Sequence, residues 1–349
     1  MTEPASNPTE VPAGIDAAGV TPWLEAHAAG AAPPLVFTAI AGGHSNLTYR
    51  VDDTAGHAWV LRRGPLSHVL ATAHDMGREH RIISALAPTD VPVPPAVGLC
   101  DDPAVNGAPF YVMDFVEGAV VRDQAAGRLL DEQGRRHAAE QVADVLARIH
   151  AVDPDAVGLG DLGRKEAYVQ RQLKRWHGQW EQSKSRELPV VDDVHAALAT
   201  TVPDQGPATI VHGDYRLDNC LVGTDGTIQA VLDWELCTLG DPLADVGLLL
   251  VYWSEPGDEH AALGDSATLL PGFPNRQELI DRYAAASGRD VTRIEFYVAF
   301  GYWKLACILE GVYARYRAGA MGRADGFELF GRQVEVLAQA AHDTLDHVP

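Results

Sequence analysis

Two short apolar runs, Ala208 to Val211 and Ile228 to Leu232, bracket a polar loop that turns at Gly223-Thr224-Asp225-Gly226. Runs of this length with a glycine-rich turn between them read as a pair of strands, so Asp214 and Asp233 each fall just past a strand-like segment and are expected to meet in space. Few other stretches constrain the chain as much. A fold that accommodates this segment must present two carboxylates at neighbouring strand ends.

The spacing also carries chemistry. Asp214 begins an Asp-x-x-x-x-Asn unit that ends at Asn219. Phosphoryl transfer needs a carboxylate to accept the proton of an attacking hydroxyl and hard oxygen ligands to hold magnesium on the phosphates, and this is the spacing at which a kinase catalytic loop places its base and one metal ligand. Asp233, at the end of the second run, stands where the second metal ligand is expected. Either piece alone reads equally well as a strand end bearing a solvated carboxylate; the two in order and at this separation read as one site.

The set His212-Gly213-Asp214 with Asn219, followed by Leu232-Asp233-Trp234-Glu235, resembles the aminoglycoside phosphotransferase and choline kinase family. The resemblance implies an α+β, protein-kinase-like two-lobed fold, with a small antiparallel β N-lobe and a mainly helical C-lobe. It implies ATP and Mg2+ as cofactors and a small-molecule hydroxyl group as acceptor.

Length and composition agree with such an enzyme. A chain of 349 residues exceeds the usual size of a single core, so two lobes are the default. Lys and Arg number 27 against 48 Asp and Glu, and the resulting net charge of -21 argues against a nucleic-acid or anionic-membrane partner. The four cysteines, Cys100, Cys220, Cys237 and Cys307, show no paired spacing and indicate neither a zinc site nor a disulfide framework. With no basic residue before Arg50 and no apolar run long enough to span a bilayer, the expected compartment is the cytoplasm.

Residues 1–19, rich in Pro, Ala, Thr and Glu without periodicity, read as a disordered arm, residues 20–117 as a nucleotide-binding N-lobe and 118–349 as the C-lobe. Thr21-Pro22 reads as the start of a short helix and Gly30 as its stop. Between strands at 35–40 and 47–52, Gly42, Gly43, Ser45 and Asn46 form a small polar loop whose glycines let backbone N–H groups approach phosphates closely. The third strand, Ala58 to Arg63, alternates so that Val60 and Arg62 share a face; Arg62 occupies the place of the lysine in the Val-Ala-Ile-Lys pattern, and Arg63 on the opposite face reads as a solvated charge. Arginine is not equivalent to lysine there, although its fork still matches phosphate and carboxylate oxygens. Glu79, on a helix ending at Pro88, lies where the partner of Arg62 is expected. In the family the strand Phe110 to Gly118 leads into the hinge, so the resemblance places adenine against backbone groups near Asp114 and Val116.

Helices follow at about 131–150 and 164–185, and after the catalytic segment at about 276–287, 294–317 and 327–347. Asp241 and Pro242 read as the cap and first residue of an apolar helix that contains Asp245. In kinase-like folds an aspartate in this helix supports the catalytic loop, so the resemblance assigns Asp245 a structural role; His212 reads as a packed orienter. Glu235 reads as reaching metal through water or as capping a turn. The stretch Tyr302 to Arg317 resembles the branch of the family found alone or fused to acyl-CoA dehydrogenases, whose implied substrates include hydroxyacyl-CoA thioesters. Arg315, Arg317 and Arg323 then supply a basic patch for such an acceptor, or simply complement the helix dipole.

The reading reached is an ATP- and Mg-dependent phosphotransferase acting on a hydroxyl group, with a hydroxyacyl-CoA as the favoured acceptor and an aminoglycoside or other antibiotic as the alternative. A nucleotide-binding pseudokinase regulator is the rival of another class, suggested by Arg62 and opposed by the intact set Asp214, Asn219 and Asp233. A metal-dependent hydrolase fits poorly, because His212 is the lone histidine near the carboxylates. The oligomeric state is not fixed by the sequence.

Overall fold

The structure is a computed structural model that describes residues 11–40, 46–66, 75–258, 264–319 and 327–346. The chain begins with α1 (Ala17–His27), followed by β1 (Val36–Ala39), β2 (Leu47–Asp52) and β3 (Ala58–Arg63). Helix α2 (Met76–Leu86) leads to β4 (Ala96–Cys100), the single-turn α3 (Pro103–Asn106) and β5 (Phe110–Asp114). Then come α4 (Gln124–Gly127), α5 (Glu132–Ala151), α6 (Tyr168–Ser183) and α7 (Pro189–Thr200). Four short strands, β6 (Thr209–Val211), β7 (Cys220–Val222), β8 (Ile228–Val231) and β9 (Thr238–Gly240), precede α8 (Leu243–Tyr252), α9 (Arg276–Ser287), α10 (Ile294–Arg317) and α11 (Glu328–Leu345). The class is α+β, as expected.

The chain divides into two compact units, Met1–Glu117 with Gln229–Glu235, and Gly118–Ile228 with Leu236–Pro349. The short segment 229–235, which the sequence reading places in the helical lobe, belongs to the first unit.

In the first unit β1, β2, β3, β5 and β4 form one antiparallel sheet in that order. Period-2 alternation gives it one apolar face: Tyr49 and Val51, Trp59 and Leu61, Phe110 and Val112 are all buried in one cluster with Val20 and Leu24 of α1. Helix α1 starts at Ala17, inside the stretch read as an arm and ahead of the expected start at Thr21-Pro22. The reason is the cap: Asp16 accepts from the amides of Ala18 and Gly19 at 3.1 and 3.3 Å, satisfying two of the orphan donors of the first turn. Pro22 therefore lies inside the helix, where it cannot donate to the carbonyl four residues back. Burial of Val20 and Leu24, each worth about 1.5–3 kcal/mol, offsets that loss.

Arg63 is not solvated. It is 7% exposed, and its Nη1 donates to the carbonyls of Gly14 and Asn106, fastening the residues before α1 and the end of α3 to the sheet.

The second unit is mainly helical. Helix α5 is capped by Asp131, whose carboxylate accepts from Gly134 N at 2.7 Å. Helix α10 is buried from Ile294 to Cys307 apart from Glu295, which marks it as the central helix of this unit. Its approach to α8 is close: a Cβ on Gly247 would lie 2.4 Å from the Tyr297 carbonyl oxygen, so only glycine lets these two backbones meet. Strand β6 pairs antiparallel with β9, Ile210 opposite Leu239. The four cysteines are buried and form no disulfide with one another. Among the described residues no helix is long and apolar enough to cross a membrane.

Candidate active site

In the first unit the functional side chains gather on the sheet face opposite α1. Antiparallel register places Arg62 between Thr48 of β2 and Tyr111 of β5. Its Nη1 lies 3.6 Å from Glu79 Oε2 and its Nη2 3.4 Å from Asp233 Oδ1. Glu79 sits in the first turn of α2, where the helix dipole favours a negative charge, and it is 2% exposed. The Tyr111 hydroxyl donates to Glu79 Oε2 at 2.9 Å and Asn46 Nδ2 donates to Oε1 at 3.0 Å, so both carboxylate oxygens are held. Asn46 also donates to Glu235 Oε2 at 3.3 Å, and Arg78 Nη1 to the Glu235 carbonyl.

Burial works against the Arg62 charge, but Tyr111, Glu79, Asp233 and Glu235 outweigh it and raise the pKa, keeping the guanidinium ionised. Its Nε–H is buried and has no hydrogen-bond partner among the described residues. A buried donor of this kind beside loosely spaced carboxylates suits an additional anion, such as a phosphate oxygen.

Asp233 has φ +64°, a left-handed conformation rare outside glycine though more accessible to Asp and Asn than to most residues. Strain of this sort costs on the order of 1–3 kcal/mol and gathers at functional positions. The phosphate-loop residues Gly42, Gly43 and Ser45 lie outside the described residues; Asn46, at the start of β2, commits its side chain to the two glutamates. The Asp114 N–H donates to the Pro95 carbonyl at 2.8 Å and is therefore already engaged.

In the second unit, β6 delivers His212-Gly213-Asp214. Gly213 has φ +88°, and a Cβ there would meet the Leu236 carbonyl oxygen at 2.8 Å. Asp245, 1% exposed in the first turn of α8, accepts from His212 N at 2.7 Å and from Gly213 N at 2.8 Å. His150, at the end of α5, completes the arrangement: its Nε2 is 3.3 Å from Asp245 Oδ2 and its Nδ1 2.8 Å from the Tyr283 hydroxyl. Burial lowers the His150 pKa more than Asp245 restores it, whereas Asp245, despite its own burial, is lowered by its bonds to His150 and Gly213. Both shifts describe a neutral imidazole that donates Nε2–H to an ionised Asp245 and accepts from Tyr283.

Asp214 donates its backbone N–H to His212 Nδ1 at 3.3 Å. Asn219, in a 3-10 turn at Leu217–Asn219, donates through Nδ2 to both the carbonyl and Oδ2 of Asp214, at 2.8 and 3.0 Å. That orientation turns the Asn219 amide oxygen away from Asp214. Burial raises the Asp214 pKa, opposed by Arg216, His212, Asn219 and Lys304. Asn219 in the second unit and Asp233 in the first each carry a side-chain oxygen of the kind a hard cation such as Mg2+ prefers.

Arg315 and Arg317 lie exposed in the last turn of α10. Two apart on a helix, they do not share a face; Arg317 donates to the Ser185 carbonyl at 3.3 Å and lies over the Tyr313 ring. Arg323 lies outside the described residues. Three side chains escaped the sequence reading. His150 looks like an ordinary helix-terminal residue, and Lys304 is the lone cation in an apolar run. Arg216, whose Nε lies 3.5 Å from Asp214 Oδ2 and whose guanidinium covers the Tyr252 ring, was signalled only by its place two residues after the aspartate.

Comparison with known proteins gives consistent matches. The family described as Phosphotransferase enzyme family matches residues 36–288. Acyl-CoA dehydrogenase family member 10 of Mus musculus is 35% identical over 306 residues, covering 86% of this chain and 28% of that protein. The chain thus spans well under half the length of the curated relatives it matches. The crystal structure of a candidate aminoglycoside phosphotransferase from Ralstonia eutropha superposes with a TM-score of 0.81 at 32% identity, over 96% of this chain and 99% of that one. A thermostable mutant of an aminoglycoside phosphotransferase, solved with AMP-PNP and hygromycin B, shares the fold at 14% identity and a TM-score of 0.59, over 92% of this chain and 98% of that one. The fold is therefore the protein-kinase-like one that the motifs imply.

Proposed function

Because the chain belongs to the phosphotransferase enzyme family, we propose that it transfers the γ-phosphoryl group of ATP to a hydroxyl group of a small molecule, favouring a hydroxyacyl-CoA. Asp214 accepts the proton of the acceptor hydroxyl as its oxygen forms the new bond to phosphorus, and the bond to the leaving oxygen of ADP breaks. Arg62, positioned by Glu79, holds phosphate oxygens in line. Asn219 and Asp233 would each offer an oxygen to Mg2+, which when bound would supply charge neutralisation for the transfer. The backbone at Asp114 and Val116 receives the adenine. His212 and Asp245 keep the loop in shape.

The observation that carries this reading is the Asp214–Asn219 pair: the amide that orients the carboxylate also leaves its own oxygen for a cation, so one side chain serves base and metal together. A pseudokinase regulator needs neither function. Support for an acyl-CoA acceptor is the name of the mouse relative, together with Arg216 beside Asp214 as a cation able to receive an anionic acceptor. An aminoglycoside is the second reading, favoured by the net charge of -21.

The test is ADP release from Mg-ATP with 4-hydroxyacyl-CoA, the free hydroxy acid and kanamycin at equal concentration. Turnover with the thioester is expected; turnover with kanamycin alone overturns the acceptor, and no turnover with any hydroxyl compound overturns the phosphotransferase reading. Asp214→Asn should retain nucleotide binding and lose about 10²- to 10⁴-fold in kcat, the usual range for a general base.

A further inference from the structure

Lys304 is a cation in the middle of the longest helix among the described residues, within its buried stretch. Its α10 neighbours Trp303, Leu305, Ala306 and Cys307 are all buried, and Lys304 itself is 9% exposed. Taking an ammonium out of water costs several kcal/mol unless partners compensate, and here the direct partners are few. Nζ donates to the Gly213 carbonyl at 3.3 Å and stands 5.9 Å from the Trp176 ring. Burial pushes its pKa down while Asp214 and Asp245 push it back up. As a packing residue, methionine would fill the same volume without the cost.

The Gly213 carbonyl is not an arbitrary acceptor. It shares a planar peptide unit with the Asp214 N–H, so whatever fixes the oxygen fixes the plane from which the Asp214 side chain departs. The opposite edge of that plane is held by His212 Nδ1, which accepts the Asp214 N–H at 3.3 Å. The preceding peptide is held by Asp245, which accepts the Gly213 N–H at 2.8 Å. Gly213 thus sits at φ +88° with its N–H gripped from α8 and its C=O from α10.

We propose that Lys304 is a positioning residue for phosphoryl transfer, closing with Asp245 a two-sided clamp on Gly213 that sets the direction of the Asp214 carboxylate. The proposal rests on Asp214 being the base. A misplacement of about 1 Å in a reacting group can cost on the order of 10²-fold in rate, which is the scale on which a peptide-plane rotation at Gly213 acts. A clamp of this kind acts through the direction of Asp214 and is therefore expected to change kcat more than ground-state binding.

Lys304→Met, Lys304→Arg and wild type would be compared with Mg-ATP and 4-hydroxyacyl-CoA, together with unfolding temperature and amide hydrogen exchange over residues 209–219. For Lys304→Met, kcat is expected to fall roughly 10- to 100-fold with both KM values within about twofold of wild type. Its unfolding temperature should be equal or higher, since an uncompensated buried charge has been removed, and exchange at Gly213 and Asp214 should be faster. Lys304→Arg should restore part of the kcat. A Lys304→Met protein with wild-type kcat, or one that unfolds several degrees lower while keeping its kcat, overturns the proposal. If the wild type transfers phosphate to no acceptor, the proposed function fails, and hydrogen exchange still decides the clamp: unchanged protection at Gly213 and Asp214 in Lys304→Met rules it out.

Discussion

Arg62 and Glu79 form an ion pair at 3.6 Å that joins the middle strand of the sheet to the first turn of α2. The pair is long for a salt bridge, and the guanidinium is shared with Asp233 at 3.4 Å. An arginine satisfied by either carboxylate alone would sit closer to it. Its intermediate place, with Nε lacking a partner among the described residues, leaves the guanidinium able to receive an anion.

Arg62 therefore yields the first prediction. Arg62→Ala should lower phosphoryl-transfer turnover by about 10²-fold or more, the scale of losing one preorganised electrostatic contact, while Arg62→Lys retains part of it as a point charge without the fork. Steady-state ADP release measures both; equal activity in wild type and Arg62→Ala would remove Arg62 from the phosphate site.

Asp233 supplies the second. Asparagine tolerates the left-handed backbone at φ +64° nearly as well as aspartate, so Asp233→Asn should fold normally. It removes a hard anionic ligand, and the rise in unfolding temperature that Mg-ATP produces in wild type should be lost. A melting series with and without Mg-ATP is sufficient, and an undiminished rise counts against the metal assignment.

The His150–Asp245 pair predicts a pH response. In the folded protein burial holds His150 below its ordinary value near 6.5, so the unfolded chain binds this proton more readily, and its neutral-state contribution to stability is lost as pH falls below that value. Asp245 is lowered from 3.8, so its contribution is present above that value and disappears only as pH falls through its folded pKa. Between about pH 7 and 5 the imidazole dominates the pair. His150→Gln, whose amide can donate to Asp245 and accept from Tyr283, should show a flatter fall in unfolding temperature over that range; parallel curves would mean that His150 is not buried as a neutral ring.

Leu24→Ala tests the packing of α1 on the sheet. Leu24 is fully buried among Tyr49, Trp59 and Phe110, so truncation should cost about 2–5 kcal/mol of the first unit's stability, read from its urea transition. A loss below about 1 kcal/mol would mean that the helix is dispensable to that core.

How far these features can be read from sequence depends on the range of the interaction. Alternation made β2 and β3 legible, because one face of each is apolar, and Asp245 stands out as a charge at the head of an apolar helical run. Helix α1 is misread because Pro22 is a strong local start signal, yet the Asp16 cap and the burial of Val20 and Leu24 outvote it. The same alternation that pairs Arg62 with Val60 sends Arg63 to the face against α1, where the Gly14 and Asn106 carbonyls, remote in sequence, receive it. Strand β4 and helix α7 go unrecognised, the first because Ala96 to Cys100 is short and interrupted by a glycine, the second because it starts at Pro189 without a side-chain cap to mark it. Lys304 escapes because a lone cation in an apolar helix has no local partner; its acceptor, Gly213, is 91 residues away.

The membership of residues 229–235 in the first unit bears on synthesis. Asn46 and Arg62 acquire Glu235 and Asp233 only from that segment, so a nascent chain that has reached Glu117 carries the whole sheet but lacks two of its carboxylates. At roughly 5–20 residues per second, about 6–24 s of translation separate Glu117 from Glu235. During that interval the guanidinium of Arg62 has Tyr111 and Glu79 beside it but not Asp233, and the helices from α4 to α7 emerge before segment 229–235 does. An N-terminal fragment ending at the first unit's own boundary would be arrested at that same stage, so a productive two-piece version of this protein must be cut after Glu235.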